Sequence, residues 1–61
     1  MSEYAVYLGL NSDKKHEARL EGGNVVVFTI PWDKFSVVKD LKVNCLISIV
    51  FNNGVWNLIG V

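Results

Sequence analysis

Apolar and polar side chains alternate in several stretches of the chain, as they do in β-strands that bury one face. Residues 3–10, EYAVYLGL, predict a first strand with Tyr7 on one side and the bulkier apolar residues on the other. Residues 11–16 form a polar loop, and residues 17–21, EARLE, predict a second strand. Residues 25–30, VVVFTI, are rich in β-branched side chains and predict a buried third strand.

The turn between the second and third strands decides which side chains share a face. A two-residue Gly22-Gly23 loop would place Arg19 on the same face as Val26. A three-residue loop over 22–24 pairs Leu20 with Val26 and keeps the apolar face free of charge. Because register follows the buried face, we predict the longer loop, of the type that carries a glycine bulge.

The pattern changes after Pro31, where apolar residues recur at a spacing of three. This spacing predicts one stripe of a short helix near 33–41, with Asp33 or Ser36 as its cap. A strand over 35–38, followed by a turn, is the competing interpretation, because two adjacent valines weaken a helix. The predicted stripe consists of Phe35, Val38 and Leu41.

Residues 46–61, LISIVFNNGVWNLIGV, carry no charge and have apolar side chains on both alternating faces. A two-residue type I′ turn at Asn53-Gly54 would place Phe51 opposite Trp56 and Ile49 opposite Leu58. The face that carries these side chains has no polar group and is predicted to lie in the core. The other face is mostly apolar and is predicted to be a subunit interface. That interface consists of Leu46, Val50, Val55, Asn57, Ile59 and Val61.

These elements predict a single small domain, 1–61, that is mainly β (α+β). The predicted order is β-β-β-α-β-β, with about five short antiparallel strands. The chain is 51% hydrophobic and 20% charged, and a domain of this length buries only about 60% of its unfolded surface. We therefore expect an intertwined or closely packed homodimer. A closed monomeric barrel with one thin outer face is the alternative.

Charge and cysteine content limit the classes of function and the cellular location that the sequence predicts. The formal net charge is zero, which argues against a strongly basic nucleic-acid binder. Residues 43–61 are uncharged and follow several lysines, as in a tail anchor. The Asn-Asn-Gly at 52–54 suits a turn better than a membrane helix, so we expect no membrane span. A lone cysteine, Cys45, and the lack of a signal peptide predict a cytoplasmic, reducing location.

No catalytic, metal-binding or nucleotide-binding pattern is visible in the sequence. His16 is the only histidine and is expected to be exposed at a loop–strand junction. Cys45 lies in an apolar run and is expected to pack as a small hydrophobic residue. Gly22-Gly23 is predicted to be a turn, because no P-loop lysine or helix start follows it. We therefore expect a protein that is not an enzyme and needs no cofactor or metal.

One cluster of cationic side chains lies in the predicted loop and the strand that follows it. Lys14, Lys15 and Arg19 are candidates for contact with nucleic acid, and a two-fold dimer would present the cluster twice. Asp13 and Glu17 lie beside them and offset part of their charge. We expect nucleic-acid binding through this cluster to be weak.

Two short matches resemble the AbrB/MazE/SpoVT swapped-hairpin family. In that family a strand ending in Ile-Pro leads to a short helix, and two strands joined by an acidic-Gly or Asn-Gly turn follow. Ile30-Pro31 matches the first element and Asn53-Gly54 the second. The resemblance implies intertwined dimers, with DNA binding or antitoxin duty.

The sequence thus predicts a small homodimeric protein-interaction or regulatory module with an unidentified protein partner. Antitoxin-like, inhibitor and viral or phage accessory proteins are of this kind. The alternative is an AbrB-like transcriptional regulator that binds DNA through the basic loop–strand patch.

Overall fold

Five strands form where the sequence alternates, and one helix follows the proline. The structure is a computed structural model that describes residues 2–61. A 3₁₀ helix, Trp32–Asp40, connects the third strand to the fourth. The strands are β1 (Ser2–Leu10), β2 (His16–Leu20), β3 (Val25–Thr29), β4 (Leu46–Asn52) and β5 (Val55–Gly60).

The strands close into a barrel in the order β1-β2-β3-β5-β4, with β4 returning to β1. Four of the neighbouring pairs are antiparallel, and β3 and β5 run parallel, with Phe28 beside Trp56. This order is that of the OB fold, a five-stranded Greek-key barrel. The mainly β class with one short helix is confirmed. One chain closes the barrel by itself, and the parallel pair is the one departure from the predicted antiparallel sheet.

Every strand contributes to the barrel core. On β1 the inward side chains are Ala5 and Tyr7, and the other large side chains of this strand face outward. The large rings of Tyr7 and Phe28 meet edge to face inside the barrel, with centroids 6.0 Å apart. Beside Tyr7 the inward positions hold alanines, because Ala18 pairs with Tyr7 and Ala5 precedes it by two residues on β1. The seven buried side chains are Ala5, Tyr7, Ala18, Phe28, Ile47, Ile49 and Leu58.

The β4–β5 hairpin has the predicted turn and register. Ile49 pairs with Leu58, and Phe51 pairs with Trp56. The turn Asn53-Gly54 has φ values of 54° and 82°, as a type I′ turn requires at both central residues. Ile49 and Leu58 lie in the core as predicted, whereas Phe51, near the turn, is about half exposed.

The β2–β3 hairpin has the predicted loop length, but the predicted register is wrong by two residues. Ala18 pairs with Val26, where the predicted register pairs it with Phe28. The loop is 21–23, one residue earlier than expected. The Leu20 N–H donates to the Asn24 carbonyl, and Gly23 takes a φ of 95° at the bulge position. The apolar face still points inward, because a shift of two residues preserves the alternation of side chains.

The connection after Pro31 is a 3₁₀ helix, so the competing strand over 35–38 is wrong. Its three residues per turn explain the spacing of three in the sequence. Two residues of the predicted stripe, Phe35 and Val38, are exposed, whereas Leu41, at the C-cap, is half-buried and packs against the core. Within the helix, the half-buried side chains are Lys34 and Val37. Pro31 occupies the N-cap, and no side chain caps the helix, so the predicted caps are wrong.

Candidate interaction surfaces

An aromatic cluster fills one end of the barrel and includes the only histidine. The Tyr7 hydroxyl and Nδ1 of His16 form a hydrogen bond of 2.8 Å. The His16 ring also stacks on Phe28, with centroids 5.5 Å apart. His16 is half-buried, so the expectation that it is exposed is wrong. The reason is the register of β2, which places His16 opposite Phe28 on the inward face.

Burial controls the ionisation of this cluster. It lowers the pKa of His16, because desolvation disfavours the imidazolium. Burial also raises the pKa of Tyr7, and the nearby Cys45 raises it further. Both shifts favour the neutral forms of His16 and Tyr7. The ring contacts and the hydrogen bond between Tyr7 and His16 hold this end of the barrel together.

Cys45 lies where β4 begins and is half-buried against the core, as expected for a small hydrophobic residue. Within residues 2–61, no group of three or more His, Cys, Asp or Glu side chains is placed to hold a metal ion. No helix in the described part of the chain is long and apolar enough to cross a membrane.

The loop between β1 and β2 presents two of the predicted cationic residues. Lys14 and Lys15 are both exposed. Asn11 holds the loop, because its Oδ1 accepts hydrogen bonds from the backbone N–H groups of Asp13 and Lys15 at 2.8 and 3.0 Å. The sequence reasoning missed this role of Asn11, although an asparagine at the start of a turn is a usual signal for it.

The third cationic residue belongs to a different part of the surface. Arg19 lies three residues into β2, about 10 Å from the start of that strand, and β2 runs away from the lysine loop. Glu17 points to the same outer side between them and receives a hydrogen bond of 3.2 Å from Asn11. The structure therefore separates Arg19 from Lys14 and Lys15.

Arg19 instead lines a groove on the outer surface of β1, β2 and β4, which we call the Tyr4 groove. Its volume is about 430 Å³, within the range of small binding clefts. Apolar side chains of β1 and β4 form most of its lining. The residues that line it are Tyr4, Ala5, Val6, Arg19, Leu20, Glu21 and Leu46.

A second apolar surface, the outer sheet face, covers β4 and β5 and consists of the predicted interface residues. Four of them are exposed, and Val50 and Asn57 are half-buried. The Thr29 hydroxyl donates to Oδ1 of Asn57 at 2.9 Å, and Nδ2 of Asn57 donates to the Val55 carbonyl at 3.3 Å. The side-chain amide of Asn57 is thus already hydrogen-bonded within the chain. The exposed residues are Leu46, Val55, Ile59 and Val61.

A second packed pair of aromatic side chains belongs to the β4–β5 hairpin. Phe51 and Trp56 pack edge to face beside the β4–β5 turn, with centroids 5.3 Å apart. The outward residues of β3, by contrast, are Val25, Val27 and Thr29. The outward side chains of β2 are the charged Glu17 and Arg19, so the outer surface of β2 and β3 offers no ring on which a base could stack.

The geometry describes two apolar surfaces and one organised cationic loop on a small barrel. Comparison of the chain with protein-family models, with curated proteins and with solved structures finds no match.

Proposed function

We propose that this protein is a small non-enzymatic, homodimeric protein-interaction or regulatory module that associates through the outer sheet face. The single observation that carries the proposal is the exposure of apolar side chains on both strands of that face. Contiguous exposed apolar patches mark interaction sites more often than free surface. The helix that follows Pro31 leaves these side chains exposed.

The polar groups on the outer sheet face support the same conclusion. Burying a polar group is costly unless it is hydrogen-bonded. Asn57 already accepts a hydrogen bond from Thr29 and donates one to Val55, so covering its side chain is less costly than covering an unpaired amide. The net charge of zero also leaves no long-range repulsion between two copies. The resemblance through Ile30-Pro31 and Asn53-Gly54 implies a dimer as well.

Sedimentation equilibrium at low micromolar concentration tests the proposal. We expect the wild type to sediment as a dimer, and Ile59→Asp to sediment as a monomer or to unfold, because it buries a charge in the interface. Leu10→Asp is the matched control, since Leu10 is also exposed and apolar but lies at the far end of β1. A folded wild-type monomer, or equal dissociation of both variants, would overturn the proposal.

Nucleic-acid binding is the second candidate function, and the position of the lysine loop favours it. In OB folds the loop between the first two strands contacts oligonucleotides, and here that loop carries Lys14 and Lys15. Neutral net charge and the lack of stacking rings on β2 and β3 argue for weak binding, because both phosphate neutralisation and stacking contribute to affinity.

Fluorescence anisotropy with duplex and single-stranded DNA across a salt series separates the two functions. We expect weak binding at low salt that disappears at physiological salt. The double variant Lys14→Glu, Lys15→Glu is compared with Lys34→Glu, Lys39→Glu, which makes the same charge change on the helix. Nanomolar binding at physiological salt that only the loop variant abolishes would show that DNA binding is the primary function.

A further inference from the structure

The 3₁₀ helix presents an apolar edge to solvent. Three residues per turn align side chains at a spacing of three, so Trp32, Phe35 and Val38 share one edge, the Trp32 edge. Trp32 is 85% exposed and Phe35 is 62% exposed. The edge that faces the barrel carries Lys34 and Val37, which are half-buried. The helix therefore packs on the barrel through the edge that carries Lys34 and Val37, and it leaves the more apolar Trp32 edge uncovered.

The Tyr4 groove offers a complementary surface. Tyr4 is 67% exposed and lies beside Arg19 and the apolar side chains of Val6 and Leu46. At this position β1 pairs with β2 on one side and with β4 on the other. No backbone edge is free for an added strand, so any occupant is recognised through side chains.

We propose that the Trp32 edge of one copy docks into the Tyr4 groove of a second copy. Trp32 lies against Tyr4 and Leu46, and the Arg19 guanidinium stacks on the indole ring, a geometry that favours cation–π attraction. Asp33 follows Trp32 in the chain and is exposed, so its carboxylate approaches Arg19 in the same contact. Glu21 also lines the groove, so the charge match is local to Arg19 and Asp33. That pair and the match of aromatic surfaces identify the second copy as the occupant.

The proposed contact joins two different surfaces, so it is heterologous. Such a contact leaves one groove and one helix edge free at the ends, and it generates rings or longer assemblies. It shares Leu46 with the outer sheet face but uses none of its β5 residues. Ile59→Asp should therefore leave monomers at low micromolar concentration, because the dimer proposed above is lost. The helix–groove contact should still form in that variant at higher protein concentration, which separates the two proposals.

A charge exchange tests the contact. Arg19→Asp and Asp33→Arg each place like charges at the contact, and we expect each to weaken self-association about tenfold or more. An equimolar mixture of the two variants should restore association, because each copy then meets an opposite charge. The measurement is sedimentation velocity with fluorescently labelled protein, carried out in the Ile59→Asp background and repeated without it.

Trp32→Ala supplies an independent test of the apolar part. We expect it to weaken self-association about thirtyfold, the effect of losing a hot-spot aromatic side chain. Val43→Ala is the matched control, because Val43 is also exposed but lies after the helix. Circular dichroism confirms that each variant is folded. Unchanged association in Trp32→Ala, or a charge-exchange mixture that associates no better than its components, would overturn the proposal.

Discussion

Replacement of Ile47 by alanine tests which face of β4 lies in the barrel. Ile47 is 1% exposed, whereas its neighbour Leu46 is 60% exposed on the outside. Ile47→Ala and the matched substitution Leu46→Ala each remove three carbon atoms, whose burial is worth roughly 2.4 kcal/mol at about 0.8 kcal/mol per buried carbon. At Ile47 a cavity adds to this, and we expect a total loss of about 2–5 kcal/mol. At Leu46 most of the side chain already contacts water, so we expect a loss of about 1 kcal/mol.

These losses are large compared with the stability of so small a domain. At about 0.05–0.15 kcal/mol per residue, the folded state of 61 residues is stable by about 3–9 kcal/mol. With a urea m-value of about 1 kcal/mol/M, Ile47→Ala should lower the unfolding midpoint by about 2 M or more, or unfold the protein. Leu46→Ala should lower it by about 1 M.

Urea unfolding followed by tryptophan fluorescence measures both changes. Each titration is repeated at two protein concentrations, because a midpoint that depends on concentration would reveal a contribution from association at Leu46. An equal loss in the two variants at the lower concentration, or a larger loss for Leu46→Ala, would refute the inward assignment of Ile47 and with it the alternation along β4.

Two further predictions concern pH and the β4–β5 turn. Burial lowers the pKa of His16 in the folded chain below its value in the unfolded chain. The unfolded chain therefore binds more protons as the pH falls below about 6.5, and the folded state loses stability there. Urea unfolding at about pH 7.5 and 5.5 should show a larger loss of stability in the wild type than in His16→Gln. Gly54→Val should lower the free energy of unfolding by about 1–2 kcal/mol and with it the thermal midpoint, because Gly54 has a φ of 82°. Gly22→Val, at an open position without positive φ, should change the thermal midpoint little.

The accuracy of the sequence prediction depended on how strongly the local residues fix the backbone. Asn53-Gly54 satisfies a turn that needs positive φ at both positions, so the register of β4–β5 was predictable from the turn back to Ile49. Beyond Ile49 the register shifts by one residue, and Ser48 pairs with Gly60. Two adjacent glycines at 22–23 fix the turn less tightly. Gly23 takes the bulge position and the turn begins at Glu21, a residue assigned to β2 from its alternation, so the predicted register was wrong by two residues.

The environment of His16 was missed for the same reason. In the predicted register the face of Ala18 was correct, but His16 was counted as part of the loop. Moving the turn by one residue brings His16 into β2 and places it opposite Phe28, beside the hydroxyl of Tyr7. A polar residue next to a loop is exposed in most sequences, and only the long-range contact with β1 reveals that this histidine closes the end of the barrel.

The helix shows why the candidate surfaces were harder to predict than the fold. A spacing of three was interpreted as the buried stripe of an α-helix, which normally faces the core. In a 3₁₀ helix the same spacing defines a straight edge, and that edge can face either way. Here the barrel is already filled by Phe28 and Ile49, so the helix half-buries only Lys34 and Val37 and leaves Trp32 outside. An exposed tryptophan on a closed barrel is therefore a property of the packing, and the periodicity of the sequence alone does not distinguish it from a core residue.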